Sequence, residues 1–382
     1  MYTRLLCIYL IFFHIITLQA QQTYRARVVD CETGEALPYV NIYVASERGT
    51  MTNAEGHFLI QAEPTEQLTF RYVGYETVQV AASGLPSVIK MKPYAKELGQ
   101  VVVQGNPTYF ILKQAIKRLA KEYRKHKKEQ QVYFFRSRLW NERGAYMMEA
   151  FLRAYDAINV RKEILLSGIQ GRDEYRNGQT IDLKVTNIQR HIEIGPKVYN
   201  TVFWEQAIKP LDNYSKTKKY YDFETTVLRG KSGEKIYCID CQWNYGEARE
   251  LRHVRKITGK LYIEEGSYRL LRFEGQVKDA KQWTDFGHLP SDIRFHITYD
   301  HSKGYTAMAN LAVEGGNNEM YYHSVAFAVP EYKDVRKKQK ASTSNFVKSI
   351  KDVECDSTLW TEEIILRIEE EEKIFMKGME AM

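Results

Sequence analysis

Proline is scarce in this chain, nine residues in 382, and cysteine is scarcer still at five. Few prolines and a moderate glycine content argue against a disordered or low-complexity polymer. Past residue 20 no apolar run is long enough for a helical membrane span. Also missing from that stretch are GxSxG, a P-loop, HExxH and GxGxxG, so no common catalytic or nucleotide-binding signature is written there. The charge excess is mild, +7 overall, which favours weak contact with anionic lipid or polysaccharide and does not suggest a nucleic-acid binder. What the chain has in abundance is tyrosine, 27 residues, and the composition is that of β-rich soluble domains.

The first twenty residues stand apart. Arg4, the apolar run "LLCIYLIFFHIITL" and the small residue Ala20 reproduce the three regions of a secretory leader, with cleavage expected after Ala20. The residue directly after that point is Gln21 and not cysteine, so a lipid-anchored lipoprotein is not expected. Cys7 leaves with the leader, and Cys31, Cys238, Cys241 and Cys355 remain. An even number permits disulfides in an exported protein without specifying a pairing. Cys238 and Cys241 form "CIDC", but "EKIYCIDCQWNYG" reads as a strand running to a turn. A redox CxxC should open a helix, and no second pair completes a zinc site, so neither a metal nor another cofactor is expected.

Residues 22–92 alternate at period two between turn signals. "YRARVV", "YVNIYVA", "HFLIQA", "QLTFRYVG", "YETVQVA" and "SVIKMK" read as strands, with "DCETGEALP" and "SERGTMTNAEG" as turns. Val40, Ile42 and Val44 share one face; so do Phe58 and Ile60, and Leu68, Phe70 and Tyr72. Gly74 interrupts "RYVGYETVQV", where glycine marks a bend or a close backbone approach.

Asp30, Thr33, Gly34, Leu37, Pro38, Val40, Thr52, Gly56, Phe58 and the run Gly74-Tyr75-Glu76 resemble the carboxypeptidase-regulatory-like domain of Bacteroidetes-type cell-envelope proteins. The resemblance implies a seven-stranded, transthyretin-like sandwich with Gly34, Pro38, Gly56, Gly74 and Tyr75 in structural roles and no catalytic residues. On that basis Gly74→Val should destabilise the first domain and leave ligand binding by the second region intact. "KELGQVVVQG" is similar to the link that follows this module in TonB-dependent receptors, but a chain of 382 residues is too short to continue into their long barrel.

Pro107 opens an expected helix with Phe110, Ile111, Ala115, Ile116, Leu119 and Tyr123 at helical spacing. Its other face carries Lys113, Lys117, Arg118, Lys121, Arg124, Lys125, Lys127 and Lys128. That face suits anionic lipid head groups or a polyanionic glycan, and equally a solvated surface on a helix docked by its apolar stripe. His126 and Glu129 form the one HxxE, in a cationic stretch without a third ligand.

From 131 to about 330 long turn-linked strands return, clearest in the hairpin "GKLYIEEGSYRLLRFEGQ", where Leu261 and Ile263 precede Glu265-Gly266 and Tyr268, Leu270 and Leu271 follow. A broad curved sheet is expected, analogous in outline to the open half-barrel of periplasmic lipoprotein carriers. "ILKQAIKRL", "YFFRSRLW", "RHVRKITGKLYIEEGSYRLLRFEG" and "LWTEEIILRIEEEE" also resemble the region that follows the regulatory-like module in other Bacteroidetes envelope proteins. The terminal stretch reads as an acidic helix with Trp360, Ile364, Ile365 and Ile368 on its stripe.

The expected organisation is a leader at 1–20, a sandwich at 22–92, a linker and basic helix at 93–130, a β-rich domain at 131–332, and a basic segment with an acidic helix at 333–382. The fold class is mainly β with flanking helices. Trp204, Trp283 and His288, in loop-like contexts, are the candidate ligand-binding residues; each could equally serve core packing or turn capping. The expected function is a non-catalytic binding or assembly role at the periplasm or outer membrane, with an envelope protein, glycan or lipid surface as partner. Two alternatives stand beside it: a carrier of a hydrophobic molecule, and a glycan hydrolase with paired carboxylates about 5–9 Å apart.

Overall fold

A computed structural model describes residues 22–44, 48–96, 107–126, 128–141, 144–155, 166–176, 221–243, 256–284, 287–316 and 321–328. The described chain divides into two compact units, residues 22–71 with 77–91, and residues 72–76 with 92–328.

The first unit holds seven strands in two sheets. They are β1 (Gln22–Asp30), β2 (Asn41–Val44), β3 (Arg48–Met51), β4 (His57–Ala62), β5 (Gln67–Arg71), β6 (Val78–Ala81) and β7 (Val88–Met91). One sheet runs β4-β1-β7, with β7 parallel to β1, and the other β3-β2-β5-β6. The sequence pattern placed a turn across 46–56; β3 occupies part of it, because Asn41–Val44 needs a partner on its outer side and Arg48–Met51 pairs there. Alternation fills the core between the sheets. Val28, Val40, Ile42, Val44, Phe58, Leu68 and Phe70 are buried, and the Phe58 and Phe70 rings meet edge-on at 5.4 Å across the two sheets.

Polar side chains set the turns of this unit. Asp30 Oδ1 accepts from the Glu32 and Thr33 amides, and the Gly34 amide donates to the Asp30 carbonyl with φ at +74°. Thr52 Oγ1 donates to the Leu37 carbonyl beside Pro38 and accepts from the Val40 amide. Gly56, at φ +79°, has no room for a side chain: a Cβ there would sit 2.5 Å from the Val28 carbonyl oxygen.

The second unit is organised on one eleven-stranded sheet. Its strands are β8 (Ala95–Lys96), β9 (Gln130–Asn141), β10 (Gly144–Tyr155), β11 (Leu166–Arg176), β12 (Tyr221–Arg229), β13 (Lys235–Trp243), β14 (Lys256–Glu264), β15 (Leu270–Thr284), β16 (Gly287–Asp300), β17 (Ala307–Gly316) and β18 (Tyr321–Ala328). The order is β11-β10-β9-β18-β17-β16-β15-β14-β13-β12-β8, antiparallel at every pairing. Helix α1 (Pro107–His126) belongs to the same unit.

The two faces of this sheet differ because the residues alternate. Ile239, Leu261, Phe273, Ile297, Leu311 and Ala326 lie opposite one another across six strands, and all are buried. Helix α1 lies on this side: its Thr108 hydroxyl meets that of Thr225, which pairs with Ile239 in the same row. Ile111, Leu112, Ala115, Ile116 and Leu119 are buried, whereas Phe110 departs from the expected stripe and is 37% exposed. At 100° per residue Phe110 falls on the far side of the helix, and its ring touches Tyr268 edge-on. Arg118 pairs with Glu122 at 2.6 Å and donates to the Ser267 carbonyl, while Glu122 accepts from the Thr306 amide and hydroxyl. Tyr268, expected as a strand residue, instead has φ +56° in the turn joining β14 to β15, since Gly266 at +76° alone does not close that connection.

Candidate functional site

The opposite face of the sheet carries polar groups at the same alternation. Cys238, Tyr262, Arg272, Thr298 and Asn310 form one cross-strand row, and Asp240, Lys260, Glu274 and His296 the next. Arg272, His296, Thr298 and Asn310 are buried. An ionic group in such a place is tolerated only when its partners are supplied, since its desolvation is otherwise uncompensated.

Residues 72–76 supply part of that cover. Tyr72, Val73, Gly74 and Tyr75 make a tight turn, closed by the Tyr75 amide on the Tyr72 carbonyl at 3.0 Å, with Gly74 at φ +86°. A positive φ at the third position is the type II geometry that glycine adopts without penalty. The Arg272 guanidinium lies 3.9 Å from the Tyr262 ring centroid and 4.5 Å from that of Tyr72. It donates to the Val73 carbonyl and to Glu274 Oε1, each at 3.0 Å. Glu274 also accepts from the Tyr262 hydroxyl and meets His296 Nδ1 at 3.1 Å, and the His296 ring stacks on Tyr72 at 5.9 Å. Further along the loop, Gly74 accepts from the Tyr94 amide, the Glu76 amide donates to the Lys92 carbonyl, and Glu76 Oε1 accepts from the Lys231 amide.

Charge follows from this geometry. Burial alone would raise the Glu274 carboxyl, but Arg272 and the hydrogen bonds from His296 and Tyr262 outweigh it and hold the group at about 2. Burial pushes His296 down, against the pull of Glu274, and pushes Tyr72 up to about 12. Glu274 is therefore ionised and His296 neutral at neutral pH. Both groups bind protons less readily folded than unfolded, so unfolding takes up protons and stability rises with pH. We expect the unfolding midpoint of the second unit to fall as pH drops below about 6.5, first through His296 and then, below about 4.5, through Glu274. Thermal melts across that window check this; a midpoint flat from pH 7 to 3 would contradict it.

Gly74 was expected to act as a corner of the sandwich. Residues 72–76 group by contact with the second unit, although the family match includes them. A Cβ at Gly74 meets only Leu228 Cδ1 at 3.6 Å and Tyr262 Cε1 at 3.7 Å, so space is adequate and the backbone angle is what a side chain would strain. Gly74→Val should cost the second unit about 1–3 kcal/mol. The tryptophans among the described residues, Trp140, Trp243 and Trp283, all stand in this unit and none lies in residues 22–91, so tryptophan emission during urea unfolding follows this unit and not the sandwich. An unshifted emission midpoint would return the effect to the sandwich.

Of the expected ligand residues, Trp204 lies outside the described residues. Trp283 and His288 were read in loop-like surroundings; they stand on β15 and β16, directly opposite each other near the hairpin end. "QWTDFGHLPSD" alternates poorly, yet the long flanking strands extend their pairing through it. The cysteines of "CIDC" are both free; three positions apart on β13, they face opposite sides, Cys238 toward Tyr262 and Cys241 into the apolar face. Cys355 and the expected C-terminal helix lie outside the described residues, as do residues 97–106 of the linker. The cluster of Tyr72, Arg272, Glu274 and His296 was not anticipated. Gly74 marked the turn, but nothing in the sequence linked it to residues two hundred positions away.

A second unanticipated feature lies on the apolar face. Gly259 and Gly275 are directly opposite one another in β14 and β15. A Cβ on Gly259 would lie 2.9 Å from the Gly275 Cα, and one on Gly275 2.7 Å from the Gly259 Cα. The strands approach closely at this pair, leaving no room for a Cβ at either position. Their signal, glycine inside a strand pattern, was the same one that drew attention to Gly74.

Residues 25–103 match the family model of the CarboxypepD_reg-like domain. The first unit is thus a carboxypeptidase-regulatory-like domain by sequence and a two-sheet structure by fold; the match also takes in residues 72–76 and the edge strand β8 of the large sheet, and ends before α1. No curated sequence matches the chain. Among solved structures it is similar to a DUF1329 family protein from Desulfovibrio piger, with 7% identity and a TM-score of 0.21 over 63% of this chain and 98% of that one. A domain from Vibrio parahaemolyticus described as an outer membrane lipoprotein-sorting protein gives 11% identity and a TM-score of 0.21 over 62% and 98%. At those scores neither likeness carries an argument about this chain.

Proposed function

We propose that this is an exported cell-envelope protein that acts by binding or assembly, with the regulatory-like domain as one module and the large sheet as the other. The two-sided character of that sheet carries the reading. Its polar face is occupied by groups engaged with one another: Glu274 is tied to Arg272, Tyr262 and His296, and Tyr72 stacks over His296. Such a carboxylate is spent on structure and is a poor general acid. Its apolar face is broad, continuous and already buried, with α1 lying on the same side, so a molecule held there would be enclosed and not bound at the surface. Fractionation of cells producing the chain tests the reading. Leaderless protein beginning at Gln21 is expected with the envelope; a cytoplasmic protein retaining residues 1–20 would end it.

The Gly259–Gly275 pinch favours a second reading, a carrier that holds an acyl chain or similar molecule against the apolar face beneath α1. Trp283 and His288, paired at the hairpin end, have the parity of His296 along β16 and so stand on the polar face; they are proposed to meet a ligand there and not in this seat, with Trp204 as a further proposed contact. An environment-sensitive fluorescent fatty acid is expected to give saturable emission with the purified chain. Emission no higher than in buffer would dismiss the carrier and leave the broader reading standing.

A further inference from the structure

We propose that the solvent face of α1 is a docking surface for an anionic lipid surface. The inference rests on the reading of an exported envelope protein, since export brings the chain to a bilayer. Phe110, Lys113, Lys117, Lys121, Arg124 and Lys125 fall within about a third of the helix circumference at 100° per residue, on the side away from the buried stripe. The helix's single acid, Glu122, is turned to the other side, where it holds Arg118 and Thr306. Its remaining cation, Arg118, is consumed by that pair and by the Ser267 carbonyl. Among the described residues no acid lies within ion-pair distance of the outward cations. Internal ion pairing therefore anchors the helix, and the face left to solvent is of one sign.

Its shape favours a bilayer over a polysaccharide. The cations recur about every turn along a straight rod roughly 30 Å long, a line that meets a plane along its whole length. A flexible glycan is better held by a groove. At one end Phe110 is 37% exposed, and Lys113 Nζ sits 5.5 Å from the Tyr109 ring centroid. An apolar ring flanked by snorkelling lysines is suited to the head-group boundary. Attraction of this kind grows with each Lys or Arg brought near the surface and fades within a Debye length.

Co-sedimentation with vesicles tests the proposal, using residues 21–382 because the apolar leader would bind bilayers by itself. The chain is expected to pellet with phosphatidylethanolamine vesicles containing phosphatidylglycerol and to stay in solution with pure phosphatidylcholine. Raising salt to about 1 M should release it. Lys113→Gln/Lys117→Gln/Lys121→Gln should weaken binding about tenfold or more, Phe110→Ser should weaken it less, and the triple Lys→Arg variant should retain it. The two lysine variants should keep the tryptophan-monitored unfolding midpoint, and Phe110→Ser, which loses its contact with Tyr268, is compared under conditions where it is fully folded. Failure to pellet with anionic vesicles, equal binding to phosphatidylcholine, or undiminished binding by the glutamine variant would overturn the proposal. Binding to a soluble polyanionic polysaccharide without vesicle binding would assign the face to a glycan. Vesicle binding by a protein that fractionation finds in the cytoplasm would preserve the surface and remove only the envelope reading.

Discussion

Arg272→Ala is expected to destabilise the second unit by about 3–5 kcal/mol, the cost of deleting one member of a buried ion pair. The guanidinium is 4% exposed and sits between Tyr72 and Tyr262 while donating to Val73 and Glu274. Its loss leaves the Glu274 carboxylate with His296 and Tyr262 alone and opens a void between two rings. The attraction to the two rings accounts for about 1–2 kcal/mol and cannot by itself reach the expected figure; the stranded carboxylate dominates. Two controls separate these terms. Arg272→Lys keeps the charge but cannot match the planar, multidentate geometry, so it should recover only part of the loss. Arg272→Ala/Glu274→Gln removes both charges and should be less destabilised than the sum of its single variants. Urea unfolding followed by tryptophan emission measures each. An Arg272→Ala midpoint within about 0.5 kcal/mol of wild type would show that the cluster does not hold residues 72–76 in place.

Period-two alternation carried most of what was legible in the sequence. Val40, Ile42 and Val44 are buried on one face as expected, and so are Phe58 and Ile60. The helix from Pro107 and the hairpin through Leu261 and Ile263 were equally plain, because each is specified within a single stretch of chain. The Arg272 cluster was not, because Arg272 reaches Val73 across 199 positions and its strand alternates like any strand with one polar face. A buried polar face and a solvated one have the same residue pattern; only the chain that covers the face tells them apart. Residues 72–76 are that cover here, and they come from a loop in the middle of the sandwich sequence. The strand β3 was hidden for a related reason: "RGTM" has no apolar alternation, and it pairs because β2 offers an open edge.

Gly275→Val is expected to cost the second unit about 3 kcal/mol, at the upper end of what overpacking usually does. Propensity points the other way, since valine is favoured over glycine in a strand by up to about 1 kcal/mol. Geometry decides the sign. A Cβ at 275 would fall inside contact distance of the Thr258 carbonyl and 2.7 Å from the Gly259 Cα, and both obstacles are backbone. No rotamer relieves such a clash, so β14 and β15 must separate. Gly275→Ala meets the same first atom and should cost nearly as much. Gly259→Ala/Gly275→Ala should then cost less than its single variants summed, because strands opened for one methyl admit the second. The same variants examine the carrier reading. If the glycine pair lies at the ligand's seat, Gly275→Ala should reduce fatty-acid binding under conditions where the protein is still fully folded. A Gly275→Ala protein with wild-type stability would show that the strands do not pinch there. One that is destabilised yet binds normally would show that the glycine pair serves the fold alone.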